Sequence, residues 1–319
     1  MQPPREMRAV KFQRYGGPEV LDIVTAPTPT AKSGTVIVAV VTAATNPGEI
    51  GIREGRFADI WPAHFPEGQG NDFAGYVADI GSGITGLTIG QPVFGFAPRK
   101  AQAEFVSAGT DSLAPKPPDV AWEAAASIAG AGATAYAAVR AVDPQRGDVV
   151  VVSAAAGGVG SFAAQLARVR GATVIGTCGS GNVDLLQSLH IQPVLYGRGL
   201  ADRIRALAPG GVDAFVDTFG HGNVDLAISL GVRPDRINTL IDRDAVTKYG
   251  VHSDAQEQAY SPAIWTDIAE LIGRRDISVP IAAVYDFTVD QVRQAYRDVG
   301  TRHGGGKRIL RVKTSDSSV

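Results

Sequence analysis

The feature that most constrains the fold is a glycine-rich loop in the middle of the chain, set between an apolar strand and a helix. The apolar run Asp148–Ser153 predicts a buried parallel strand, and Ser161–Arg170 has the apolar spacing of a helix. Between them, Ala154, Gly157 and Gly160 fit the spacing A-x-x-G-x-x-G, a variant of the fingerprint for dinucleotides. Small residues let the backbone approach a pyrophosphate, and the free amides at the helix start bind it. The alternative interpretation is a plain glycine-rich turn.

Strands and helices continue to alternate beyond this loop. Repeated strand–helix units predict a doubly wound parallel sheet, the Rossmann architecture of an α/β domain. The further strands are predicted at Ala172–Thr177, Val194–Tyr196, Val212–Thr218 and Arg236–Ile241, and the helices at Val183–Leu189, Ala201–Ala208 and Val224–Gly231.

Both ends of the chain are β-rich instead. Apolar, β-branched runs such as Thr35–Ala44 and Asp72–Ile80 are separated by Pro and Gly clusters, and Ile277–Phe287 and Lys307–Val312 resemble them. Trp122–Val142 is predicted to be helical, with two glycines interrupting it. We therefore predict a discontinuous β-rich substrate domain over residues 1–122 and 275–319, with a dinucleotide-binding Rossmann domain over 123–274 inserted into it.

Composition excludes several classes of protein. The 30 Lys and Arg residues balance 32 Asp and Glu residues, so no basic excess indicates nucleic acid or a membrane surface. Cys178 is the single cysteine and no two of the five histidines have ligand spacing, so we expect no disulfide and no zinc site. No run of about 18 apolar residues predicts a membrane span. The expectation is a soluble, cytoplasmic protein without nucleic-acid or membrane partners.

The identity of the dinucleotide is predicted from the end of the second strand of the Rossmann domain. NAD-specific sites carry Asp or Glu about 20 residues after the glycine loop, whereas Thr177–Asn182 holds no acid. Ser180 and Arg198 could bind a 2′-phosphate, which favours NADPH; alternatively, Ser180 only caps the helix that starts near Val183. The candidate cofactor-binding residues are Ala154, Ala156, Gly157, Gly158, Val159, Gly160, Gly179, Ser180, Arg198 and Thr239.

From Met7 to Val312 the sequence resembles the zinc-independent quinone oxidoreductase branch of the medium-chain dehydrogenase/reductase superfamily. The resemblance implies a GroES-like outer domain, an NADPH-dependent reductase of quinones or α,β-unsaturated carbonyls, and a homodimer. The segments that carry it include Asn46-Pro47, Phe65–Gly75, Ala131–Tyr136, Gly211–Asp217 and Gly306–Leu310.

Three departures from the family pattern stand out. Asn71-Asp72 occupies the place where zinc-dependent relatives carry a His-Glu pair. Val183 stands where many relatives have a lysine for the 2′-phosphate, and Gly51 and Phe57 stand where some have tyrosines at the substrate mouth. The acceptor is therefore not carried over from the family.

The resemblance also marks candidate site residues. Asn46 is similar to the family's active-site asparagine, although an Asn-Pro pair is also a common turn. Thr134 is similar to the threonine beside the nicotinamide; the alternative is a helix-capping hydroxyl. Phe57 and Trp61 could form an apolar wall of a substrate pocket or pack as core under a loop. Asp217 could order the cofactor loop or cap a helix.

Two functions remain open. The first is a zinc-free NADPH-dependent reductase: without a metal or a Tyr-x-x-x-Lys pair there is no evident device for deprotonating an alcohol, so a conjugated quinone or enone is the expected acceptor. The second is a non-catalytic NADPH-binding sensor or structural relative with the same fold.

Overall fold

A computed structural model of the chain describes residues 3–253, 255–301 and 304–312, with the side chains of 256 and 257 left aside. The end of the predicted outer domain, 313–319, lies outside the described residues. In the N-terminal part the elements are β1 (Glu6–Phe12), β2 (Asp22–Pro27), β3 (Thr35–Ala44), α1 (Pro47–Arg53), β4 (Glu67–Gly68), β5 (Asp72–Ile80), β6 (Pro92–Phe96), β7 (Phe105–Gly109), β8 (Leu113–Pro115) and α2 (Trp122–Ala125).

The rest of the chain alternates strands and helices before it returns to β structure. The elements are α3 (Ala133–Val142), β9 (Val149–Val152), α4 (Gly158–Val169), β10 (Thr173–Cys178), α5 (Val183–Ser188), β11 (Gln192–Leu195), α6 (Leu200–Leu207), β12 (Ala214–Asp217), α7 (Asn223–Ser229), β13 (Ile237–Thr239), α8 (Arg243–Tyr249), α9 (Ala255–Gln258), α10 (Pro262–Gly273), β14 (Ile281–Asp286), α11 (Val289–Gly300) and β15 (Lys307–Arg311).

The outer domain is built from both ends of the chain. Its larger sheet has the order β14-β15-β3-β5-β6-β8, with β7 also pairing with β3, and β1, β2 and β4 form a smaller sheet. β15 runs antiparallel to β3, with Leu310 opposite Ala43, so the last strands complete the sheet that the first strands begin. The predicted GroES-like β-rich domain is confirmed.

The middle of the chain forms a five-stranded sheet of order β11-β10-β9-β12-β13, in which every pairing is parallel. Val150, Val151 and Val152 of the central strand are fully buried, as expected of a strand covered by helices on both faces. The order reverses between β9 and β12, and ligands of such sheets bind outside the carboxyl ends of the strands at that point. The predicted doubly wound Rossmann domain is confirmed.

One local prediction was confirmed and one was wrong. The helical run Trp122–Val142 is interrupted at its two glycines as predicted, by a π-helical turn at Ile128–Gly132 that separates α2 from α3. A Cβ on residue 132 would lie 3.3 Å from the Phe162 ring, so the turn brings its backbone close to α4. The strand predicted over Ile277–Phe287 begins only at Ile281, because the Ser278 amide donates to the Gln165 side chain instead of a neighbouring strand.

Among the helices of the described residues, none is both long enough and apolar enough to span a bilayer.

Candidate active site

A buried polar cluster lies where β3 ends and β15 begins. The antiparallel pairing of these strands sets Ile309 opposite Ala44, which brings Lys307 beside Thr45 and Asn46. The Lys307 Nζ donates to Asn46 Oδ1 at 2.7 Å and to the Thr45 carbonyl at 3.2 Å. Residues 261 to 263 positions apart in the chain are therefore joined by the sheet of the outer domain, where Thr45 Oγ1 also donates to the Arg308 carbonyl.

Asn46 links this ammonium to two carboxylates. Its Nδ2 donates to Asp72 Oδ2 at 2.6 Å and to Glu49 Oε1 at 3.1 Å, and Glu49 Oε2 also accepts the Asn46 backbone amide at 3.0 Å. The amide oxygen therefore faces the cation and the amide nitrogen faces the carboxylates. Both side-chain hydrogens of Asn46 are used in hydrogen bonds. The oxygen of a bound molecule would therefore compete with Glu49 Oε1 for the longer of the two bonds from Asn46 Nδ2, at 3.1 Å.

The network continues into the helix α11. The Tyr296 hydroxyl donates to Glu49 Oε2 at 2.6 Å and accepts from Gln102 Nε2 at 2.8 Å. The guanidinium of Arg53, on the last turn of α1, stacks over the Tyr296 ring at 5.0 Å. Glu49, Arg53, Gln102 and Tyr296 are all buried, so the cluster belongs to the rigid interior of the outer domain.

Burial shifts the ionisation of these groups. Desolvation raises the pKa of Glu49 to about 7, opposed by the hydrogen bond from Tyr296. Desolvation also raises the pKa of Asp72 and lowers the pKa of Lys307, and the attraction between these two opposite charges counters both shifts. Glu49 therefore changes charge near neutral pH, inside a cluster that holds one lysine and one further carboxylate.

The glycine loop has the geometry that a pyrophosphate requires. Ala154 has a φ of +46°, and its amide donates to Thr177 Oγ1 at 3.0 Å. A Cβ on residue 160 would lie 2.2 Å from the Ala154 carbonyl oxygen, so only glycine fits there. The first backbone hydrogen bond of the 12-residue helix α4 is donated by the Ser161 amide to the Gly157 carbonyl (2.9 Å). The amides of residues 158 to 160 come before it in the chain and are therefore available to an anion at the start of the helix.

The cluster and the glycine loop are in direct contact. The Lys307 side chain crosses the start of α4, where a Cβ on Gly158 would lie 2.9 Å from Lys307 Cδ. The amide of Gly306 donates to the Ala156 carbonyl at 2.7 Å. A dinucleotide bound on the loop would therefore lie next to Asn46 and its partners.

Asp217 orders the loops at the carboxyl edge of the Rossmann sheet. Its carboxylate accepts from Ser153 Oγ (2.7 Å) and Thr239 Oγ1 (2.8 Å), on the two strands that flank β12, and from the Gly220 amide (2.9 Å). The helix that follows is capped by Gly222 instead, so loop ordering is the interpretation that holds. Thr239 is fully buried, and its hydroxyl is already bonded to Asp217.

The predicted phosphate-binding residues lie at the ends of β10 and β11. Ser180 and Arg198 are exposed there, and the Asn182 side chain that precedes α5 makes no capping bond, so neither it nor Ser180 caps that helix. Sequence reasoning missed Tyr196, whose hydroxyl would be 3.1 Å from a Cβ on Gly179. It also missed Arg203, which donates to the carbonyls of Leu195, Gly197 and Arg198 and so holds this loop in place.

Two aromatic pairs lie against elements that contribute to the cluster, one on α1 and one on β5. Phe57 and Trp61 meet edge to face at 5.8 Å, and a Cβ on Gly51 would lie 2.5 Å from the Phe57 ring, which therefore fills the space of a side chain at position 51. Trp61 is 47% exposed, so it does not pack as a core residue under the loop. Sequence reasoning missed the second pair, Phe96 and Tyr260 (4.8 Å), which lies beside Asp72, because Phe96 pairs with it across the sheet.

Thr134 lies in the first turn of α3, one turn after Gly130. It is half-buried, the N-cap position of the helix is Gly132, and no hydrogen bond from the Thr134 hydroxyl occurs among the described residues, so the capping alternative is not formed. Gly130 itself abuts the cluster, since a Cβ there would lie 2.6 Å from both Asp72 carboxylate oxygens. The part of the turn that contacts the polar cluster is therefore Gly130, four residues before Thr134.

These donors do not fit a metal ion. Over residues 3–253, 255–301 and 304–312, no three His, Cys, Asp or Glu side chains converge in a manner that could hold one. Asn71 turns away, with its Oδ1 accepting the Arg99 amide at 3.0 Å, and Cys178 is buried at the end of β10. The neighbours of Asp72 are Gly130, which has no ligand side chain, and the Asn46 amide. The Asn46 oxygen already accepts from the Lys307 ammonium, so a metal cation would have to displace that ammonium.

Sequence reasoning also left Lys307, Asp72 and Glu49 out of the candidate site. Lys307 and Asp72 occur in segments that carry the family resemblance, but a lysine beside a glycine run gives no sign of burial. For Lys307 and Asp72 the available signal was a charged residue at the start of an apolar strand, whereas Glu49 lies in the helix α1 and gave no such signal.

Comparisons with known proteins agree with the fold of both domains. A model of the alcohol dehydrogenase GroES-like domain matches residues 32–145, and a model described as zinc-binding dehydrogenase matches residues 158–231. Among solved structures, a mycobacterial protein complexed with NADPH superimposes with a TM-score of 0.84 and 25% identity, over 96% of this chain and 100% of that one.

Two curated plant proteins are similar in sequence. The chain is 32% identical over 199 residues, 59% of its length, to the chloroplast envelope quinone oxidoreductase homolog of Arabidopsis thaliana, and the match covers 60% of that protein. It is 33% identical over 198 residues to the 2-methylene-furan-3-one reductase of Solanum lycopersicum, covering 58% of this chain and 51% of that one. The match spans less than two thirds of either relative.

Proposed function

The chain belongs to the medium-chain dehydrogenase/reductase superfamily, among relatives of quinone oxidoreductase type, and we propose that it is a zinc-free, NADPH-dependent reductase of quinones or α,β-unsaturated carbonyls. The observation that carries this proposal is the contact between the glycine loop and the buried cluster around Asn46, through Lys307 and Gly158. This contact supports the proposal because a dinucleotide bound on the loop would lie beside hydrogen-bonding groups of the outer domain.

The residues of the loop would hold the cofactor. The amides of Gly158, Val159 and Gly160 bind its pyrophosphate, and Gly179, Ser180 and Arg198 surround the 2′-phosphate. The mycobacterial neighbour in complex with NADPH supports this choice of dinucleotide. When bound, NADPH supplies a hydride from its nicotinamide ring.

The acceptor follows from what the site can do. A quinone or an enone delocalises the charge that it gains onto oxygen, so the protein needs only to orient it and to donate hydrogen bonds. We assign the donor role to Asn46, in competition with Glu49, and the placement of the nicotinamide to Thr134. Phe57 and Trp61 would contact the plane of the acceptor. The compound named in the tomato relative is itself a conjugated enone, which supports this class.

An acceptor screen tests the proposal. The full chain with NADPH is expected to reduce small quinones or enones, to work less well with NADH, and to show little oxidation of a saturated secondary alcohol. Efficient oxidation of such an alcohol, with quinones and enones inert, would reject the proposed reaction.

The second candidate, a non-catalytic NADPH-binding protein, rests on the missing tyrosines, since the Phe57 ring fills the space beside Gly51. It predicts micromolar or tighter NADPH binding without cofactor oxidation by any acceptor. We further propose a homodimer, which sedimentation of the purified chain would distinguish from a monomer.

A further inference from the structure

Lys307 is buried without a carboxylate at its ammonium. It is 4% exposed, and among the described residues its Nζ hydrogen-bonds to a carbonyl and an amide oxygen and forms no ion pair with Asp or Glu. Its partners are the oxygens of Thr45 and Asn46, both neutral. Because a buried charge is stable only when it is balanced, its counter-charges must be the carboxylates on the other side of Asn46.

The Asn46 amide is held in one orientation by these neighbours. Its oxygen accepts from the ammonium, and its nitrogen donates to Asp72 and Glu49. With Asp72 and Glu49 ionised, a flipped amide would set its hydrogens against the ammonium and its oxygen against two carboxylate oxygens, with no hydrogen bond formed on either side. Lys307 supplies half of this constraint.

The position of Lys307 is itself fixed by both domains. Its methylene chain packs on Gly158 at the start of α4, and its backbone amide donates to the Pro280 carbonyl at 2.7 Å. The preceding Gly306 is bonded to the glycine loop at Ala156. A displacement of the cofactor loop would therefore be transmitted to the Asn46 amide.

We propose that Lys307 is a positioning residue, which fixes the orientation of the Asn46 amide and couples it to the glycine loop that holds the cofactor. This inference deepens the proposed reductase function, and its kinetic part rests on that function. Its structural part does not, because the orientation of the amide can be observed without turnover.

The structural test follows the Asn46 side-chain amide directly. The chain contains five asparagines, at positions 46, 71, 182, 223 and 238, so selective 15N-asparagine labelling gives a simple NMR spectrum. The Asn46 NH₂ signals, assigned by their loss in Asn46→Ala, are expected to exchange slowly with solvent in the native chain. In Lys307→Met, which keeps the methylene length but removes the charge, exchange should become at least tenfold faster.

A second variant covers the case in which Lys307→Met fails to fold. The double variant Lys307→Met/Asp72→Asn removes one charge of each sign, so the cluster is no more charged than before, yet the Asn46 oxygen still lacks its donor. Fast exchange of the Asn46 amide is expected here too. Lys116→Met, which removes a half-buried lysine elsewhere, should leave the Asn46 signals unchanged.

The kinetic test separates positioning from plain stabilisation. In both Lys307 variants kcat should fall at least tenfold, with the KM for the acceptor and the Kd for NADPH within about threefold. Slow exchange of the Asn46 amide in the Lys307 variants would overturn the proposal, whether or not the chain is a reductase. Recovery of both stability and kcat in the double variant would also overturn it, since Lys307 would then act only on folding.

Discussion

Asn46 contacts three ionisable side chains at once, and its removal should affect the reaction more than cofactor binding. In Asn46→Ala the donor for the acceptor oxygen is lost, which in comparable sites lowers turnover by about 10²-fold. The glycine loop is untouched, so the Kd for NADPH should change little. Steady-state kinetics with a quinone or enone, beside a fluorescence titration with NADPH, measures both; an unchanged kcat would remove Asn46 from the mechanism.

Glu49 makes the stability of the fold depend on pH. Its pKa in the folded chain, about 7, is above its ordinary 4.5, so the folded state binds this proton more tightly than the unfolded state does. That contribution is complete below pH 4.5 and is lost as the pH rises through 7. Between pH 5 and pH 8 the loss of this contribution lowers the free energy of unfolding by about 2–3 kcal/mol.

The variant Glu49→Gln removes this titration. Denaturant unfolding at pH 5 and pH 8 should therefore show a smaller loss of stability in the variant than in the native chain. Glu270→Gln, at an exposed position on α10, is the matched control and should retain the native pH dependence. If Glu49→Gln and the native chain lose the same free energy over this range, Glu49 is already ionised at pH 5.

Among the elements, the loop between β9 and α4 has the strictest backbone requirement. In Gly160→Ala the new methyl would lie 2.2 Å from the Ala154 carbonyl oxygen, so the loop must move. NADPH affinity should fall at least tenfold, a loss of about 1.4 kcal/mol or more. Gly273→Ala, at the end of α10 with open space around it, is the control and should bind NADPH normally.

The elements were predictable to the extent that local pattern determines them. The valine run of β9, the small residues after it and the alternation that follows indicated a Rossmann sheet, because a parallel strand is apolar on both faces. The π-helical turn at Ile128–Gly132 was not predictable, since it depends on close contacts of Gly130 with Asp72 and of Gly132 with Phe162. Such contacts join residues far apart in the chain and leave no periodic signal.

The candidate site shows the same division. The cofactor loop is contiguous in sequence, and its spacing predicted its position. The polar cluster is assembled from α1, β5 and β15, and Lys307 and Asn46 are 261 positions apart. Their meeting requires the C-terminal strand to pair with β3, so a discontinuous domain had to be predicted before these residues could be placed together.

For the molecule as a whole, the preference for NADPH over NADH is the prediction that a single substitution can test. Arg198→Ala should weaken NADPH binding by at least tenfold while leaving NADH binding nearly unchanged, because a charged hydrogen bond to a phosphate is worth roughly 1.5–3 kcal/mol. Arg205→Ala, on the exposed face of α6, is the matched control. Equal losses for NADPH and NADH, or tighter binding of NADH by the native chain, would assign another cofactor.

The central claim, hydride transfer to a conjugated acceptor, is tested most directly by isotope transfer. NADPH deuterated on the transferred face of C4 is incubated with the full chain and a simple enone, and the product is analysed by mass spectrometry and NMR. We predict one deuterium per molecule, on the β-carbon of a saturated ketone. A product without deuterium, or deuterium on the carbonyl carbon of an allylic alcohol, would contradict the account.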